Sequence, residues 1–531
     1  LRGDMSVCIC PKPVTAWAGL LFRIIFIFIF TLLLGFDLSF AFLFTFEAFF
    51  LLLLNGHLKN EWFRFLLLYP LIFVQAAQLC SVFVTGRYIE PLTLWNLSSA
   101  SSVGAGTQVK LTFVAVLFLA VSLPPHRFRI QKVRTFAWIM AIWGAGELCF
   151  DNFPLRAAAA TVGQVYNQLA YNPVYDDGSR FYRKNVVEEG KSLWQNEMTK
   201  NKNVILIFAE GMSSEVISEK LTPHTFKLRD RSVSFENYYN HTAATFRGIR
   251  GQLISGFQLL GGSYGGQGIA EINKKAVDEH FKGRTESLPL ILRKNGYQTV
   301  FLSPHPESDN FQTFVKGIGF DEVIGSKTAQ NWSDRRLYEN LFAEAQRLAE
   351  RKRPFFLATY VLGTHVGLDS PDVKYDDGKN SFLNKFYNQD YWLGAFLQKF
   401  DASAFAKDTI LVFTSDHATY PGRDFTELFG ECDYFVGEMP LIFYNRFIMP
   451  AKKDAGGLNS LALTPTILDM LGFRGEAKHS LFEKGAVREA YEHFSAIGFN
   501  CFDTSGEQVR HYKFKKKGAC MKIKAYYNFA G

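Results

Sequence analysis

The stretch Val204-Ile-Leu-Ile-Phe208, followed by Ala209 and Glu210, decides the fold class of this chain. A short, uninterrupted run of β-branched and large apolar residues is typical of a strand buried on both faces of a parallel sheet. Comparable runs occur at Val300–Leu302, Phe355–Tyr360, Thr409–Phe413 and Pro440–Tyr444, and helical stretches lie between them at 285–295, 335–352, 384–400 and 463–472. Strands that alternate with helices predict an α/β domain with a largely parallel, doubly wound sheet.

Polar residues follow four of these strands at the point where each strand ends. Glu210 follows the first strand, the pair Asp416 and His417 follows another, and His365 and His305 follow two more. Because ligands of open α/β sheets bind beyond the carboxyl ends of the strands, we expect these side chains at one rim. Each residue alone is weak evidence, because a single Glu after a strand is more often a helix cap or a solvated side chain and an Asp-His pair also occurs by chance. Together they predict a site for a divalent metal, Mn²⁺, Mg²⁺ or Zn²⁺.

A nucleophile is expected in the segment from Asn240 to Gly251, which is small, polar and basic. A threonine hydroxyl is unreactive at its usual pKa, but a divalent cation can lower that pKa and orient the oxygen. Arg247 and Arg250, in the same segment, are candidates to hold phosphate oxygens through bidentate hydrogen bonds. The structural alternative is a threonine that caps a helix beginning near residue 246.

The first 150 residues predict a membrane domain. A helix needs about 20 apolar residues to cross a bilayer, and five stretches approach that length, at 16–35, 38–54, 63–86, 109–124 and 134–150. Lys and Arg concentrate in the N-terminal tail and in the second-to-third and fourth-to-fifth connections, which are therefore expected in the cytoplasm. The sequence thus predicts a five-helix transmembrane domain at 1–150, linker helices at the membrane surface at 151–200, and an extracytoplasmic catalytic domain at 201–531.

Composition excludes several classes of protein. Lys and Arg total 58 of the 531 residues against 50 Asp and Glu, a net charge of +8, without the long basic run that would indicate a nucleic-acid partner. Seven Cys are too few and too scattered for a disulfide scaffold. Glu47 lies in the middle of the second apolar stretch, and an intramembrane carboxylate is a candidate functional residue.

Four segments resemble, in order, the motifs of the alkaline phosphatase and sulfatase superfamily. Asn203–Ser213 resembles its metal-binding entry strand, Thr222-Pro223-His224 its TPN turn, and Thr414–His417 its SDHG motif. Leu463–Gly472 resembles its PTLLDLLG helix. Five N-terminal spans before such a domain resemble two branches of the superfamily. These are the lipoteichoic acid synthases with related phosphoglycerol transferases, and the lipid A phosphoethanolamine transferases.

The resemblance implies a role for each candidate residue. The family's metal ligands are matched by Glu210, Asp416, His417 and Thr245. Thr245 also matches the nucleophile, and it is preferred to Thr242 because Ser255 lies ten residues on, as in the lipoteichoic-type pattern. His365 matches a histidine that contacts the substrate phosphate or the leaving group, and His305 matches one that lines the substrate pocket.

The sequence departs from the family patterns at several points. Ala418 replaces the glycine of the SDHG motif, and Glu210 is followed by Gly-Met-Ser-Ser instead of a GETSR-like entry. The second histidine-rich metal cluster of the phosphoethanolamine transferases has no match after His417. These departures favour phosphoglycerol, or the group of a less common branch, over phosphoethanolamine as the transferred group. A typical sulfatase is disfavoured because the Cys/Ser-x-Pro-x-Arg motif does not occur around Thr245.

The resemblance therefore implies a metal-dependent phosphotransferase of a bacterial inner membrane. Its donor is expected to be a membrane phospholipid, whose phosphoglycerol or phosphoethanolamine headgroup passes through a phospho-threonine intermediate. Its acceptor is expected to be a cell-envelope glycan, such as lipopolysaccharide, or a lipid-linked sugar, and the protein is expected to be a monomer. Two alternatives remain open. One is an extracytoplasmic phosphodiesterase or phosphatase that uses water as acceptor, and the other is a non-enzymatic scaffold, which the intact candidate residues disfavour.

Overall fold

The computed structural model describes residues 13–58, 60–90, 93–94, 105–124, 133–149, 152–170, 187–189, 202–243, 245–256, 287–430, 435–475, 479–483, 490–497, 500–506 and 508–513. The described residues form two compact units. The first contains the helices between Pro13 and Asn167, and the second contains all the described strands.

The first unit is helical. Its helices are α1 Pro13–Leu33, α2 Leu38–His57, α3 Glu61–Thr85 with a π-helical turn at Arg64–Leu68, α4 Ala105–Ser122, α5 Val133–Cys149 and α6 Pro154–Ala170. The five predicted apolar stretches each overlap one of α1 to α5. Among the described residues, α2 and α3 are long and apolar enough to cross a membrane by length and composition. The expectation of five spans therefore stays a prediction.

Glu47 has a structural role inside the first unit. Its side chain is fully buried on α2. One carboxylate oxygen accepts a hydrogen bond from the Leu155 backbone N–H at the start of α6, at 2.8 Å. The other accepts a hydrogen bond from Nε2 of Gln75 on α3, at 3.0 Å. A carboxylate at a helix N-terminus compensates unpaired backbone N–H groups there, so Glu47 ties α2 to both α3 and α6.

The second unit is built on an eight-stranded sheet. The described strands are β1 Val187–Glu189, β2 Asn203–Ala209, β3 Val233–Glu236, β4 Gln298–Pro306, β5 Glu322–Ser326, β6 Phe355–Val361, β7 Thr409–Ser415, β8 Leu441–Tyr444, β9 Ala451–Asp454, β10 Phe473–Gly475, β11 Phe494–Ile497, β12 Asn500–Asp503 and β13 Arg510–Lys513. The large sheet has the order β5-β4-β6-β2-β7-β8-β3-β9. Its pairs are parallel except those that β8 makes with β7 and β3. The prediction of a largely parallel α/β sheet is confirmed.

Helices cover both faces of this sheet. They are α7 Pro223–Asp230, α8 Thr245–Ile254, α9 Leu288–Lys294, α10 Asn310–Ile318, α11 Asp334–Glu350, α12 Ser381–Ala402, α13 Arg423–Phe429 and α14 Leu463–Met470. Alternate residues of β2 point to opposite faces. Leu206 and its neighbours pack with α8, α9, α10 and α14, whereas Ile205 and Ile207 pack with α7, α11, α12 and α13. Burial on both faces explains why β2 is continuously apolar.

Three strands of the large sheet have no counterpart in the prediction. They are β3, β5 and β9, which lie towards the two edges of the sheet. Strand β9, Ala451–Asp454, contains two lysines and an aspartate and alternates between half-buried and exposed residues. An edge strand of this kind lacks the apolar run that identifies a central strand. Two small antiparallel sheets, β1 with β10 and β11-β12-β13, complete the described part of the unit.

Candidate active site

The candidate site lies at the carboxyl ends of the neighbouring parallel strands β6, β2 and β7. Glu210 follows β2, and its backbone N–H donates to the Val361 carbonyl at the end of β6, at 3.1 Å. Ser415, the last residue of β7, donates through its hydroxyl to the Ala209 carbonyl of β2, at 2.8 Å. These cross-strand bonds fix the three strand ends relative to one another. The side chains that follow the strands are thereby brought to one rim, as the sequence predicted.

Glu210 is the central acceptor of the site. Its side chain is buried. Oε2 of Glu210 accepts a hydrogen bond from the hydroxyl of Thr245, at 2.8 Å, and another from the hydroxyl of Tyr360. Tyr360 lies near the end of β6 and is fully buried among aromatic residues. The Tyr360 hydroxyl helps to fix the carboxylate of Glu210, and the carboxylate in turn holds the Thr245 side chain beside the strand ends.

Asp416 and His417 form the other half of the cluster. Oδ1 of Asp416 accepts hydrogen bonds from the backbone N–H groups of Gly211, at 2.8 Å, and His417, at 2.9 Å. Oδ2 of Asp416 is buried and accepts no hydrogen bond from a described residue. Nδ1 of His417 lies 2.8 Å from the Ala418 carbonyl, which can only accept, so Nδ1 carries a proton. Nε2 of His417 therefore faces Oε1 of Glu210, at 3.3 Å, and Oδ2 of Asp416, at 3.5 Å.

These residues fit a divalent metal ion. One ligand atom from each of Glu210, Asp416 and His417 lies within 4.8 Å of the others. The buried Oδ2 of Asp416 is a ligand atom aimed into the cluster without a hydrogen-bond donor of its own, and a buried polar atom of this kind is costly unless a partner compensates it. Two carboxylates and one imidazole suit Mn²⁺ or Zn²⁺. The hydroxyl oxygen of Thr245, bonded to Glu210, is placed beside the same position.

The charges of the cluster support this interpretation. Burial raises the pKa of Asp416, and the neighbouring charge of Glu210 raises it further, to about 8. Burial opposes a charge on His417, but the charges of Asp416 and Glu210 outweigh it and raise its pKa to about 9. Burial also opposes a charge on Glu210, yet the charge of His417 holds the pKa of Glu210 below its usual range. Without a metal, the imidazolium of His417 is the positive charge between two carboxyl groups.

Helix α8 presents Thr245 because it packs very closely against the end of β7. Gly248 lies one turn after Thr245, and a Cβ atom there would be 2.1 Å from the backbone oxygen of Asp416. Nε2 of Gln252 donates to the carbonyls of Ser415, at 2.9 Å, and Asp416, at 3.1 Å. The helix is thus held to the backbone of the residues that carry the cluster, and its first residue faces Glu210.

Two other hydroxyl residues near Thr245 face away from the cluster. The hydroxyl of Thr242 is buried and donates to the Ala496 carbonyl of β11, at 2.8 Å. The hydroxyl of Ser255 donates to the Leu461 carbonyl, at 2.8 Å. Thr245, which is half-buried, is the threonine of this segment that the structure places against Glu210.

The two arginines of α8 remain candidates for phosphate binding. Arg247 is buried and interacts electrostatically with His241, while Arg250 is half-buried. His241 itself is fully buried, and burial lowers its pKa to about 3, so its ring is neutral. Its Nδ1 lies 2.7 Å from the hydroxyl of Ser460. His241 therefore packs against the C-terminal half of α8. A Cβ on Gly251 there would be 2.0 Å from Nε2 of His241.

Two histidines lie on the β4 and β6 side of the site. The ring of His305 stacks on that of Tyr360, with centroids 6.1 Å apart, and burial lowers the pKa of His305. His365 interacts electrostatically with both Glu210 and His305. Nδ1 of His365 lies 2.9 Å from the Val366 carbonyl, so Nδ1 carries a proton and Nε2 is the nitrogen left for a substrate. The structure thus groups both predicted histidines around Glu210.

Several residues at the site were not predicted from the sequence. Tyr360 was assigned only to a strand, and Gly248 and Gln252 were not separated from the rest of α8. Lys385 of α12 is almost fully buried, and burial lowers its pKa to about 8. The sequence of α12 does not separate Lys385 from Lys399, which is exposed on the same helix. The roles of the other three depend on close approaches between segments far apart in sequence.

Comparisons with known proteins give a consistent picture. The family model described as Sulfatase matches residues 202–473. The chain is 24% identical over 423 residues to "Phosphoglycerol transferase I" of Xanthomonas euvesicatoria pv. vesicatoria (strain 85-10), covering 73% of this chain and 56% of that protein. It is 25% identical over 242 residues to "Phosphoglycerol transferase I" of Escherichia coli (strain 55989 / EAEC), covering 40% of this chain and 30% of that protein. The chain thus spans about half the length of these relatives, or less.

A solved structure supports the fold. A protein in the alkaline phosphatase superfamily from Vibrio parahaemolyticus is similar with a TM-score of 0.50 and 20% sequence identity. The similarity covers 69% of this chain and 92% of that chain.

Proposed function

This chain belongs to the sulfatase family, and from that premise we propose that it is a phosphotransferase that uses a membrane phospholipid as donor. The observation that carries the proposal is the position of the Thr245 hydroxyl, 2.8 Å from Glu210 and beside Asp416 and His417. A nucleophile next to a metal site at the carboxyl end of a parallel sheet is suited to displacement at phosphorus. The relatives named phosphoglycerol transferase support transfer as the reaction class.

In the first half-reaction, Oγ of Thr245 attacks the phosphorus of the lipid phosphodiester. The bond from phosphorus to the diacylglycerol oxygen breaks, and the headgroup phosphate stays on Thr245 as a phosphodiester. The hydroxyl proton of Thr245 passes to solvent water, because the low pKa of Glu210 makes that carboxylate a poor base, and the hydrogen bond to Oε2 of Glu210 orients the hydroxyl. His365, with both ring nitrogens protonated, donates the proton of Nε2 to the departing oxygen and is left with its proton on Nδ1. A divalent cation held by Glu210, Asp416, His417 and Thr245 would stabilise charge on the phosphate oxygens and lower the pKa of the threonine hydroxyl.

In the second half-reaction, a hydroxyl group of the acceptor attacks the phosphorus of phospho-Thr245. Nε2 of His365 takes the proton of the acceptor hydroxyl, the bond to Oγ breaks, and the headgroup phosphate passes to the acceptor. Oγ of Thr245 regains a proton from solvent. We place Arg247, Arg250 and His305 as residues that hold the headgroup phosphate, because arginine is suited to bidentate phosphate binding. The acceptor is a cell-envelope glycan or a lipid-linked sugar.

Phosphoglycerol is the headgroup we favour. The named relatives point to it, and the segment after Glu210 lacks the GETSR-like entry of phosphoethanolamine transferases. Phosphoethanolamine is the second candidate. A hydrolase that uses water as acceptor would employ the same residues, so the fate of the headgroup separates the two activities.

We further propose that residues 1–150 anchor the chain in the bacterial inner membrane and that the domain at 201–531 works on the periplasmic side as a monomer, with 151–200 at the membrane surface. Helices α2 and α3 are candidate spans. Anchoring keeps the catalytic domain near a donor that is confined to the bilayer, which raises the donor's effective concentration.

The test is a donor assay on the purified chain in vesicles of phosphatidylglycerol or phosphatidylethanolamine, with Mn²⁺ and a glucan acceptor. We expect diacylglycerol release from phosphatidylglycerol and glycerophosphate on the glucan. Thr245→Ala should abolish release, and Thr242→Ala, which removes a hydroxyl facing β11, is the matched control that should keep it. Free glycerophosphate without glucan product would assign hydrolysis instead, and release by Thr245→Ala would refute the proposed nucleophile.

A further inference from the structure

The segment between β6 and α12, residues 362–380, carries His365 and has no helix or strand of its own. A loop of this length needs other contacts to keep a side chain in a fixed position. The backbone of its first turn is closed by a hydrogen bond from the His365 N–H to the Leu362 carbonyl, at 3.0 Å. Thr364, in the same turn, donates through its hydroxyl to the Glu210 carbonyl, at 2.5 Å. This turn therefore decides where His365 lies relative to Glu210.

A buried anion holds one side of the turn. Asp334, the first residue of α11, is almost fully buried, and its Oδ1 accepts a hydrogen bond from the Gly363 N–H at 3.1 Å. Its Oδ2 accepts a hydrogen bond from Nδ2 of Asn388 on α12, at 3.0 Å. A Cβ on Gly363 would be 2.1 Å from Oδ2 of Asp334. Glycine at position 363 is thus required for the carboxylate to reach the backbone of the turn.

A buried cation holds the other side. Nζ of Lys385 on α12 donates to the His365 carbonyl, at 3.4 Å, and lies over the rings of Phe382, at 4.8 Å, and Phe386, at 5.2 Å. The same carbonyl accepts a hydrogen bond from the Leu368 N–H, at 3.2 Å. Burying an ammonium group is costly, and an apolar side chain would pack against two phenylalanines at lower cost. The charge of Lys385 therefore requires an explanation other than packing.

The same helix fastens the rest of the loop. Oδ1 of Asn384 accepts a hydrogen bond from the Tyr375 N–H, at 2.9 Å, and its Nδ2 donates to the Gly378 carbonyl, at 2.8 Å. Oδ1 of Asn388 accepts a hydrogen bond from the Val373 N–H, at 3.2 Å. Asn384, Lys385 and Asn388 are neighbours on one side of the helix. This side of the helix makes hydrogen bonds to residues 362–380 and to Asp334.

We propose that Asp334 and Lys385 are positioning residues that clamp the turn 362–365 and thereby fix Nε2 of His365 for proton transfer. Asp334 acts through the Gly363 N–H and Lys385 through the His365 carbonyl, and Lys385 also interacts electrostatically with Glu210 and Asp424. The orientation of the His365 ring depends on its bond to the Val366 carbonyl, so the backbone position sets the position of Nε2. The role of His365 in this inference rests on the proposed function, whereas the clamp itself does not.

The clamp is tested by hydrogen exchange of the purified chain in lipid nanodiscs. Lys385→Met keeps the packing volume and removes the charge. Asp334→Asn replaces one accepting oxygen by an NH2 group, which then faces a donor, either the Gly363 N–H or Nδ2 of Asn388. We expect peptides spanning 362–368 to exchange at least fivefold faster in each variant, while peptides of β2 stay unchanged. Lys385→Arg should restore protection, and Lys399→Met, an exposed lysine of the same helix, is the control. Unchanged exchange in both variants would refute the clamp.

A kinetic cycle tests whether the clamp acts through His365. Lys385→Met should lower the rate of Thr245 modification by the lipid donor at least tenfold, with less than a twofold change in the donor KM. In a His365→Ala background, the same substitution should change the rate less than twofold, because residues that act as a unit are not additive. A full tenfold loss in both backgrounds would contradict positioning through His365. A chain that never modifies Thr245 would refute the proposed function, while hydrogen exchange would still decide the clamp.

Discussion

Two hydroxyl groups, from Thr245 and Tyr360, donate to the same carboxylate oxygen of Glu210. A hydrogen bond to a charged group contributes about 1.5–3 kcal/mol, so Tyr360 helps to fix the carboxylate that orients the nucleophile. At the scale of single residues, the candidate mechanism therefore depends on a tyrosine as well as on the four family ligands.

Tyr360→Phe is expected to lower the rate of Thr245 modification about 10- to 100-fold and to leave the fold intact, because only the hydroxyl is lost. The measurement is single-turnover modification by phosphatidylglycerol vesicles. Tyr338→Phe is the matched control, since that buried hydroxyl bonds Gln389, away from Glu210. Equal rates for wild type and Tyr360→Phe would show that this hydroxyl does not orient the site.

Asp334 predicts a pH dependence of stability. Burial raises its pKa from 3.8 to about 6, so the folded chain binds one more proton than the unfolded chain between these values. The stability of wild type relative to Asp334→Asn should therefore fall as pH rises from about 4 to 6, by about 3 kcal/mol, and stay level above. Thermal unfolding of both chains across this range measures the difference. A difference that is flat or rises with pH would contradict the assigned shift.

Five predicted residues came from their positions at the ends of apolar strands, and the structure groups them around Glu210: Glu210, His305, His365, Asp416 and His417. Thr245, Arg247 and Arg250 came instead from a polar, basic segment and from the family resemblance. Tyr360 and Asp334 could not be identified in this way. Tyr360 belongs to a strand pattern in which an aromatic residue is expected, and Asp334 begins a helix, where an acidic residue is ordinary. Their roles follow from contacts with Glu210 and Gly363, which are distant in sequence.

At the scale of elements, α8 carries the nucleophile and Gly248 sets how closely it approaches β7. Gly248→Ala places a methyl group 2.1 Å from the Asp416 carbonyl. Since the atoms it meets belong to the Asp416 backbone, the helix must move away, at a cost of about 1–3 kcal/mol in stability. We expect weaker Mn²⁺ binding and at least a tenfold loss of Thr245 modification, measured by calorimetry and mass spectrometry.

Gly144→Ala is the control for this substitution. Gly144 lies inside α5, and a Cβ there meets nothing within 4 Å. Alanine at an open helical position stabilises slightly, so this variant should keep wild-type metal binding. If Gly248→Ala behaved in the same way, the close approach of α8 to Asp416 would not be required.

The central strands and most helices of the catalytic domain were predictable because burial on both faces leaves an uninterrupted apolar run. β9 was not, because Lys452, Lys453 and Asp454 follow one another at a sheet edge and leave no apolar run. The start of α8 at Thr245 agrees with the helix expected near residue 246. The sequence alone left the helix-cap and nucleophile readings of this threonine open, and its hydrogen bond to Glu210 now favours the second.

At the scale of the whole molecule, the family assignment made from four motifs is confirmed, since the matched segment runs from 202 to 473. The number of membrane spans is a separate matter. Two helices among the described residues meet the requirement for a span by length and composition, and the five-span arrangement stays a prediction.

Metal removal should lower both the activity and the thermal stability of the second unit. Chelation is expected to abolish Thr245 modification, and Mn²⁺ should restore it and raise the unfolding temperature. At a concentration 100-fold above Kd, binding stabilises the folded chain by about 2.7 kcal/mol. Asp416→Asn should lose this shift, whereas Asp334→Asn, a buried carboxylate outside the cluster, should retain it. A shift that survives in Asp416→Asn would place the metal elsewhere.

The central claim is that Thr245 becomes covalently linked to a phospholipid headgroup. The most direct measurement is mass spectrometry of the intact chain after incubation with phosphatidylglycerol vesicles and Mn²⁺, followed by fragmentation of the tryptic peptide 232–247. This peptide contains both Thr242 and Thr245. We predict glycerophosphate on Thr245, absent in Thr245→Ala and present in Thr242→Ala. An unmodified Thr245 in a chain that still cleaves the lipid, or glycerophosphate on another residue, would contradict this account.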